Sequence, residues 1–404
     1  MTISDNPPKD SFRLSQLLYD TRYRSTTIQV IAFILLMLSL SWLVSNTVQN
    51  LQALGKDFNF GFLSQPAGYD INQHIIDYDS QRSHGRAAIV GMLNTILVAF
   101  LGCAVATVIG VIVGVLRLSR NWVVSRLMAV YVEALRNVPL LLWIVVIFAL
   151  MTEATPQPRD FREGGSASML FGDTVAITNR GVFIPKPILH DGSQVLVAVL
   201  LLSLAAIWAF RRYARKRQEQ TGDILPVLWI SLGLFFVPTI VFYFLLGRPV
   251  TLEYPELGGF NFQGGLQVRN SLIALWFALS IYTGAFIAEI VRAGILAVSK
   301  GQTEAAFALG LRPNRTMNLV ILPQAMRVII PPLISQYLNL TKNSSLAIAV
   351  GYMDVRATLG GITINQTGRE LEGMLLLGLF YLTASLAISS AMNVYNNRMK
   401  LKER

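Results

Sequence analysis

The chain has 404 residues, of which 53% are hydrophobic and only 14% are charged, and its mean hydropathy is +0.50. An average soluble domain is about one quarter charged, so this composition excludes a soluble enzyme and a disordered chain. It also argues against a nucleic-acid-binding protein, although the net charge of +11 would suit an anionic partner.

Several apolar runs exceed the roughly 18 residues that a helix needs to cross a bilayer. Helices are expected because the backbone must satisfy its own hydrogen bonds in lipid. The sequence predicts an all-α polytopic membrane bundle with eight spans, at 27–48, 88–116, 127–151, 193–210, 225–246, 269–298, 327–350 and 373–395.

The predicted spans suggest two parts. Residues 1–87 form a cytoplasmic tail, a first transmembrane anchor and a periplasmic loop, and residues 88–398 form the main transmembrane domain. The first span is interpreted as an uncleaved anchor, because its apolar run is too long for a signal peptide and no small-residue cleavage site follows it.

The basic residues predict how the spans are oriented. With the N-terminus in the cytoplasm, the inner segments carry 20 Lys and Arg residues and the outer segments carry 10. The segment RRYARKR at 211–217 is the strongest single inside signal. The excess of positive charge on inner loops therefore predicts that both termini are cytoplasmic.

Two predicted outer loops, 49–87 and 152–192, are long for a membrane bundle. Loops of this length without regular structure are often functional or disordered. The sequence leaves two interpretations open, a docking surface for an external partner and a tolerated insertion.

The inner loop 299–325 is amphipathic and predicts two short helices on the cytoplasmic face. Thr303 is a candidate cap for a helix that starts at Glu304. Gly310 can end that helix in a left-handed conformation, and a second helix would lead to Pro323.

This loop resembles the EAA loop of bacterial ABC importer permeases, whose pattern is EAA, three residues, G, nine residues, I, one residue, LP. The matching residues are Glu304, Ala305, Ala306, Gly310, Val320, Leu322 and Pro323, with Val320 as the one departure. The resemblance implies a type I permease core whose coupling helix contacts a dimer of cytoplasmic ABC ATPases. It implies no cofactor in this chain, since ATP would be bound by the ATPase. The sequence contains no GxxxxGK[ST] phosphate-binding motif of its own.

Three further stretches resemble the polar amino-acid uptake permeases, and more narrowly the larger permeases of general L-amino-acid importers. They are YVEALRNVPLL at 131–141, YTGAFIAEIVRAG at 282–294 and LNLTKNSSLAIAVG at 338–351, where Asn343 replaces the acidic residue of the family pattern. The resemblance implies an inner-membrane transport subunit, not an enzyme, that carries L-amino acids. It also implies a second homologous permease and a periplasmic amino-acid-binding protein as partners.

Charged residues inside the predicted spans are candidates for the substrate path, because charge within a bilayer is costly and usually functional. Glu133 with Arg136 and Glu289 with Arg292 are each three residues apart, so each pair shares a helix face. Lys342 with Asn343 is a third candidate. An α-amino acid needs a cation for its carboxylate and an anion for its ammonium, which such pairs offer. Self-neutralising pairs or an inner gate explain the spacing equally well.

The remaining features concern packing and alternatives. The second span has small residues at every fourth position from Gly102 to Gly114, a pattern typical of close helix packing. Pro331 and Pro332 predict a kink or break in the seventh span.

The three histidines show no metal-ligand spacing, so no metal site is expected. A secondary transporter driven by an ion gradient explains the intramembrane charges but not the 299–325 loop, and a membrane anchor or receptor explains neither.

Overall fold

The computed structural model describes residues 21–53, 55 and 57–399. The chain divides into two compact units, Met1–Gln65 and Pro66–Arg404. In the first unit, helix α1 (Thr21–Ala53) is apolar over Arg24–Asn50, and a short 3-10 turn covers Gly61–Ser64. The large apolar side chains of α1 are exposed, as expected for a helix surrounded by lipid.

The second unit consists mainly of helices. They are α2 (His84–Leu116), α3 (Trp122–Asn137), α4 (Leu140–Glu153), α5 (Ser193–Thr221), α6 (Val227–Leu245), α7 (Asn270–Leu296), α8 (Lys300–Ala308), α9 (Pro313–Thr316), α10 (Leu322–Asn343), α11 (Val355–Ala357), α12 (Ile364–Thr367) and α13 (Glu370–Met399).

Within the described residues, seven helices are long and apolar enough to cross a membrane, and the number is eight if the bent pair α3–α4 is counted as one span. The prediction of an all-α bundle with about eight spans is therefore confirmed. The prediction that 127–151 is one continuous span is wrong, because α3 and α4 meet at an angle of 104°. Val138, between them, is extended, since Pro139 disfavours a helical conformation in the residue before it.

Helices α2 and α7 form the centre of the bundle. A β-carbon added at Gly110 would lie 2.5 Å from the Ile287 side chain, and one added at Gly114 would lie 2.7 Å from the Ala288 carbonyl oxygen. Real atoms do not approach so closely, so only glycine permits this helix contact. The small residues of α2 are buried there, which confirms their predicted packing role.

Short strands cover the end of the bundle opposite the 299–325 loop. They are β1 (Ala176–Thr178), β2 (Gly181–Ile184), β3 (Lys186–Leu189), β4 (Val250–Glu253), β5 (Glu256–Leu257), β6 (Phe262–Gln263) and β7 (Leu266–Val268). All pair antiparallel, in the orders β1-β2-β7, β3-β4 and β5-β6. Two of these sheets join the loop 152–192 to the segment 247–268, so the two loops fold together.

The 299–325 loop folds into α8, a turn and the start of a long helix. Gly310 adopts the predicted left-handed conformation, with φ of +73°. The predicted start of the first helix is wrong, because α8 begins at Lys300 after Ser299 instead of being capped by Thr303. Beyond α9, a π-helical turn at Met317–Ile321 runs directly into α10, which continues as a helix through Pro331 and Pro332. A complete break at these prolines is therefore ruled out.

Candidate functional site

The most connected charges of the bundle are Arg117, Glu289 and Arg292. Glu289 lies on α7 and accepts hydrogen bonds from Arg292 of the next turn, whose Nε is 3.2 Å from both carboxylate oxygens. Arg117, the C-cap of α2, forms an ion pair with the other side of the carboxylate. The three side chains are only 14–31% exposed. The cluster therefore ties the ends of α2 and α7 together near the 299–325 loop.

Arg117 is the member of this cluster that sequence reasoning missed. In the sequence it is one of the basic residues that predict the inner segment 117–126. Its place immediately after a predicted span was the available signal, because a cation there can reach back to a carboxylate within the bundle. The predicted pair of Glu289 and Arg292 is present, but as two members of a three-residue cluster.

The second predicted pair is separate. Glu133 is exposed, and its carboxylate accepts a hydrogen bond from Asn137 at 3.3 Å. Arg136 lies with its guanidinium carbon 5.1 Å from the centre of the Phe286 ring, a cation–π contact. Within the described part of the chain, no ion pair joins Glu133 to Arg136. Of the alternatives that the sequence leaves open for these two residues, mutual neutralisation is therefore not what the structure shows.

Arg136 and Glu289 do share one cavity of about 590 Å³. Its other walls are Phe286 and Ile290 of α7, and Pro331, Pro332, Ser335 and Gln336 of α10. The cavity thus offers a cation, a carboxylate and an aromatic face on three converging helices. We call it the Arg136–Glu289 cavity.

The third predicted pair lies elsewhere. Lys342 and Asn343 occupy the last two positions of α10, and Lys342 is exposed. Neither residue lines the Arg136–Glu289 cavity. Glu289 thus lies with Arg136 in the cavity and with Arg292 in the ion-pair cluster. Glu133, Lys342 and Asn343 lie outside both.

The coupling-loop residues form an exposed surface. Glu304, Ala305 and Gly310 are exposed, as are the large apolar side chains of Phe307 and Leu309, which are 49% and 81% exposed. Ala306 is buried, and the amide of Gln324 donates a hydrogen bond to Gln302 across the turn, at 3.3 Å. Pro323 lies in the first turn of α10. This hydrogen bond therefore connects α8 to α10.

A buried carboxyl group lies at the opposite end of the bundle. Asp354 is fully buried and caps α11, where Oδ1 accepts a hydrogen bond from the Ala357 amide at 2.8 Å. Its Oδ2 has no hydrogen-bond partner among the described residues. Burial raises the pKa of Asp354 to about 7, because a charge is disfavoured away from water. The preceding Tyr352 donates a hydrogen bond to the Asn94 carbonyl at 3.0 Å, which fastens this segment to α2.

Comparison with known proteins gives consistent matches. Residues 220–401 match the family model described as "binding-protein-dependent transport system inner membrane component". The chain is 54% identical, over the full length of both proteins, to the glutamate/glutamine/aspartate/asparagine transport system permease protein BztB of Rhodobacter capsulatus. It is 42% identical to the general L-amino acid transport system permease protein AapQ of Rhizobium johnstonii, over 98% of this chain and 96% of that one.

Among solved structures, the chain resembles a crystal structure of an amino acid ABC transporter. The TM-score is 0.44 and the identity is 19%, over 78% of this chain and 95% of that chain.

Proposed function

The chain belongs to the permease subunits of amino-acid ABC transport systems, and we propose that it imports L-amino acids by alternating access, driven by a separate ATPase. It is a multi-pass protein of the inner membrane, and its family is a family of transporters and not of enzymes. The similarity to two amino-acid permeases over nearly the full chain carries this assignment. Nothing in these comparisons supports the ion-coupled alternative.

In the proposed cycle, a periplasmic binding protein delivers the amino acid, and two cytoplasmic ATPase subunits bind ATP. Both termini lie in the cytoplasm, as the basic residues predict. The exposed surface around Glu304, Ala305 and Gly310 docks on the ATPase. The apolar Phe307 and Leu309 support this role, since exposed apolar patches on a cytoplasmic loop mark protein contacts.

A second homologous permease completes the proposed complex. Glu133 and Arg136 are exposed on the isolated chain although they lie in a membrane helix. Charged side chains in a bilayer almost always face protein or a water-filled cavity. A neighbouring permease packed against α3 would remove both charges from lipid, which supports pairing.

The proposed substrate path passes through the Arg136–Glu289 cavity. The guanidinium of Arg136 suits a carboxylate, because its planar fork can donate two parallel hydrogen bonds. Glu289 is already neutralised by two arginines, so its proposed role is gating: it joins α2 to α7 and would release them as the inner side opens. Arg292 shares that role, and Lys342 and Asn343 are proposed to act farther along the path.

The substitution Ala305→Arg tests the coupling surface. It places a long cation on an exposed position of α8 and leaves the buried Ala306 in place. Gln220→Arg, on the exposed end of α5, is the matched control. We expect Ala305→Arg to be expressed at the normal level but to transport no amino acid, and the ATPase should no longer co-purify with it. The control should behave as wild type in both measurements. Wild-type uptake by Ala305→Arg would overturn the proposed docking surface.

A further inference from the structure

A second cavity, of about 190 Å³, lies at the end of α7 that is opposite the 299–325 loop. Segments that are far apart in sequence build it, including both long predicted outer loops. The residues that carry the argument are Gln73, Thr152, Asn179, Arg180, Arg269 and Asn270. Pockets for drug-sized ligands measure roughly 300–1,000 Å³, so this one suits a smaller molecule.

The cavity contains buried polar atoms that lack partners. Asn270 is only 4% exposed, and its Nδ2 donates to the carbonyl oxygens of Asn179, at 2.8 Å, and Thr178, at 3.4 Å. Those carbonyls fix the amide orientation and leave Oδ1 without a donor among the described residues. Asn179 Oδ1 and both amide atoms of Gln73 are also buried and unpartnered. Each unsatisfied buried group costs about 1–3 kcal/mol. Three of these four atoms are acceptor oxygens and one, Gln73 Nε2, is a donor, so the group mainly offers acceptors to a ligand.

The cavity also carries net positive charge. Arg180 and Arg269 line it, and none of its lining residues is acidic. Arg180 donates one hydrogen bond to the Phe260 carbonyl, at 3.0 Å, whereas the half-buried Arg269 side chain has no ion pair within the described part of the chain. Arg269 is the N-cap of the 27-residue helix α7, and the helix terminus adds positive potential there.

We propose that this cavity binds a free L-amino acid with a side-chain carboxylate, such as glutamate or aspartate, before it enters the membrane path. The arginines receive the two carboxylates, and the unpartnered amide oxygens of Asn270 and Asn179 receive the ammonium. The inference rests on the proposed function and extends it, because it assigns a ligand-binding role to both long loops and places selectivity for acidic side chains at this end of the bundle.

The test is equilibrium binding of radiolabelled L-glutamate to the complete transporter in lipid nanodiscs, without binding protein. Arg269→Gln removes the charge at the cavity. Arg159→Gln is the matched control, since that arginine lies in the same loop region, is 72% exposed and does not line the cavity. Arg136→Gln reports on the other cavity. Basal ATP hydrolysis confirms that each variant complex is folded.

We expect Arg269→Gln to weaken glutamate binding at least tenfold and glutamine binding by a smaller factor, while Arg159→Gln binds as wild type. Unchanged binding in Arg269→Gln, or loss in Arg136→Gln alone, would overturn the inference. So would a wild-type complex that takes up amino acids yet binds no glutamate, which would indicate a cavity filled by water only. A wild-type complex that takes up no amino acid would instead refute the proposed function.

Discussion

The substitution Glu289→Gln isolates the charge that holds α2 to α7. It removes a carboxylate from between Arg117 and Arg292 and leaves two half-buried guanidinium groups without their counter-ion. Breaking a fully buried ion pair costs about 3–5 kcal/mol. These side chains are 14–31% exposed, so solvent reduces the expected loss in free energy of unfolding to about 2 kcal/mol.

Glu133→Gln is a control with the same chemistry and the same E-x-x-R spacing. Glu133 is exposed and contacts Asn137 only through hydrogen bonds that a glutamine can also accept. Substitution of Glu133 should change the free energy of unfolding by less than about 0.5 kcal/mol. Thermal unfolding of the purified chain measures both, and for a chain of 404 residues about 2 kcal/mol corresponds to a fall in Tm of about 2–3 °C. Equal shifts for the two variants would refute the assignment of the cluster.

Two further predictions concern stability. Asp354→Asn should raise Tm at pH 8 and make no difference near pH 4, because burial raises the pKa of the native carboxyl to about 7 from its ordinary value of 3.8. Ionisation of Asp354 therefore lowers the free energy of unfolding by about 4 kcal/mol above pH 7, and this loss is recovered as pH falls. The Tm of the wild type should thus rise relative to that of Asp354→Asn between pH 7 and pH 4, and the absence of such a rise would contradict the prediction. Gly110→Ala should lower Tm, because the overpacked methyl group costs about 1–3 kcal/mol, which exceeds the gain of about 1 kcal/mol in helix propensity. Gly378→Ala, which meets no atom within 4 Å, should not lower Tm, and similar falls in both glycine variants would argue against the tight contact.

Composition and periodicity were sufficient to predict the helical bundle, because apolar runs longer than a bilayer leave few alternatives. They failed at the third span, where the apolar character continues through Val138 and Pro139 while the backbone turns by 104°. A proline within an apolar run was a visible signal. Its consequence depends on neighbouring helices, as Pro331 and Pro332 show, since they lie inside a continuous α10.

The candidate site was predictable only in part. The spacing of Glu289 and Arg292 correctly placed them on one helix face, because three residues span nearly one turn. The identical spacing of Glu133 and Arg136 left mutual neutralisation open as one alternative, whereas in the structure Arg136 contacts Phe286. Contacts between distant segments, such as Arg117 with Glu289 or Asn270 with Asn179, depend on tertiary packing that a single sequence does not contain.

The most direct test of the proposed function is whether ATP or an ion gradient drives uptake. The chain would be purified with its native partners, reconstituted into sealed proteoliposomes, and supplied with labelled L-amino acids and their binding protein at the periplasmic face. The account predicts uptake that requires ATP at the cytoplasmic face and continues when ionophores collapse all ion gradients. Uptake that proceeds without ATP and stops with the ionophores would contradict it.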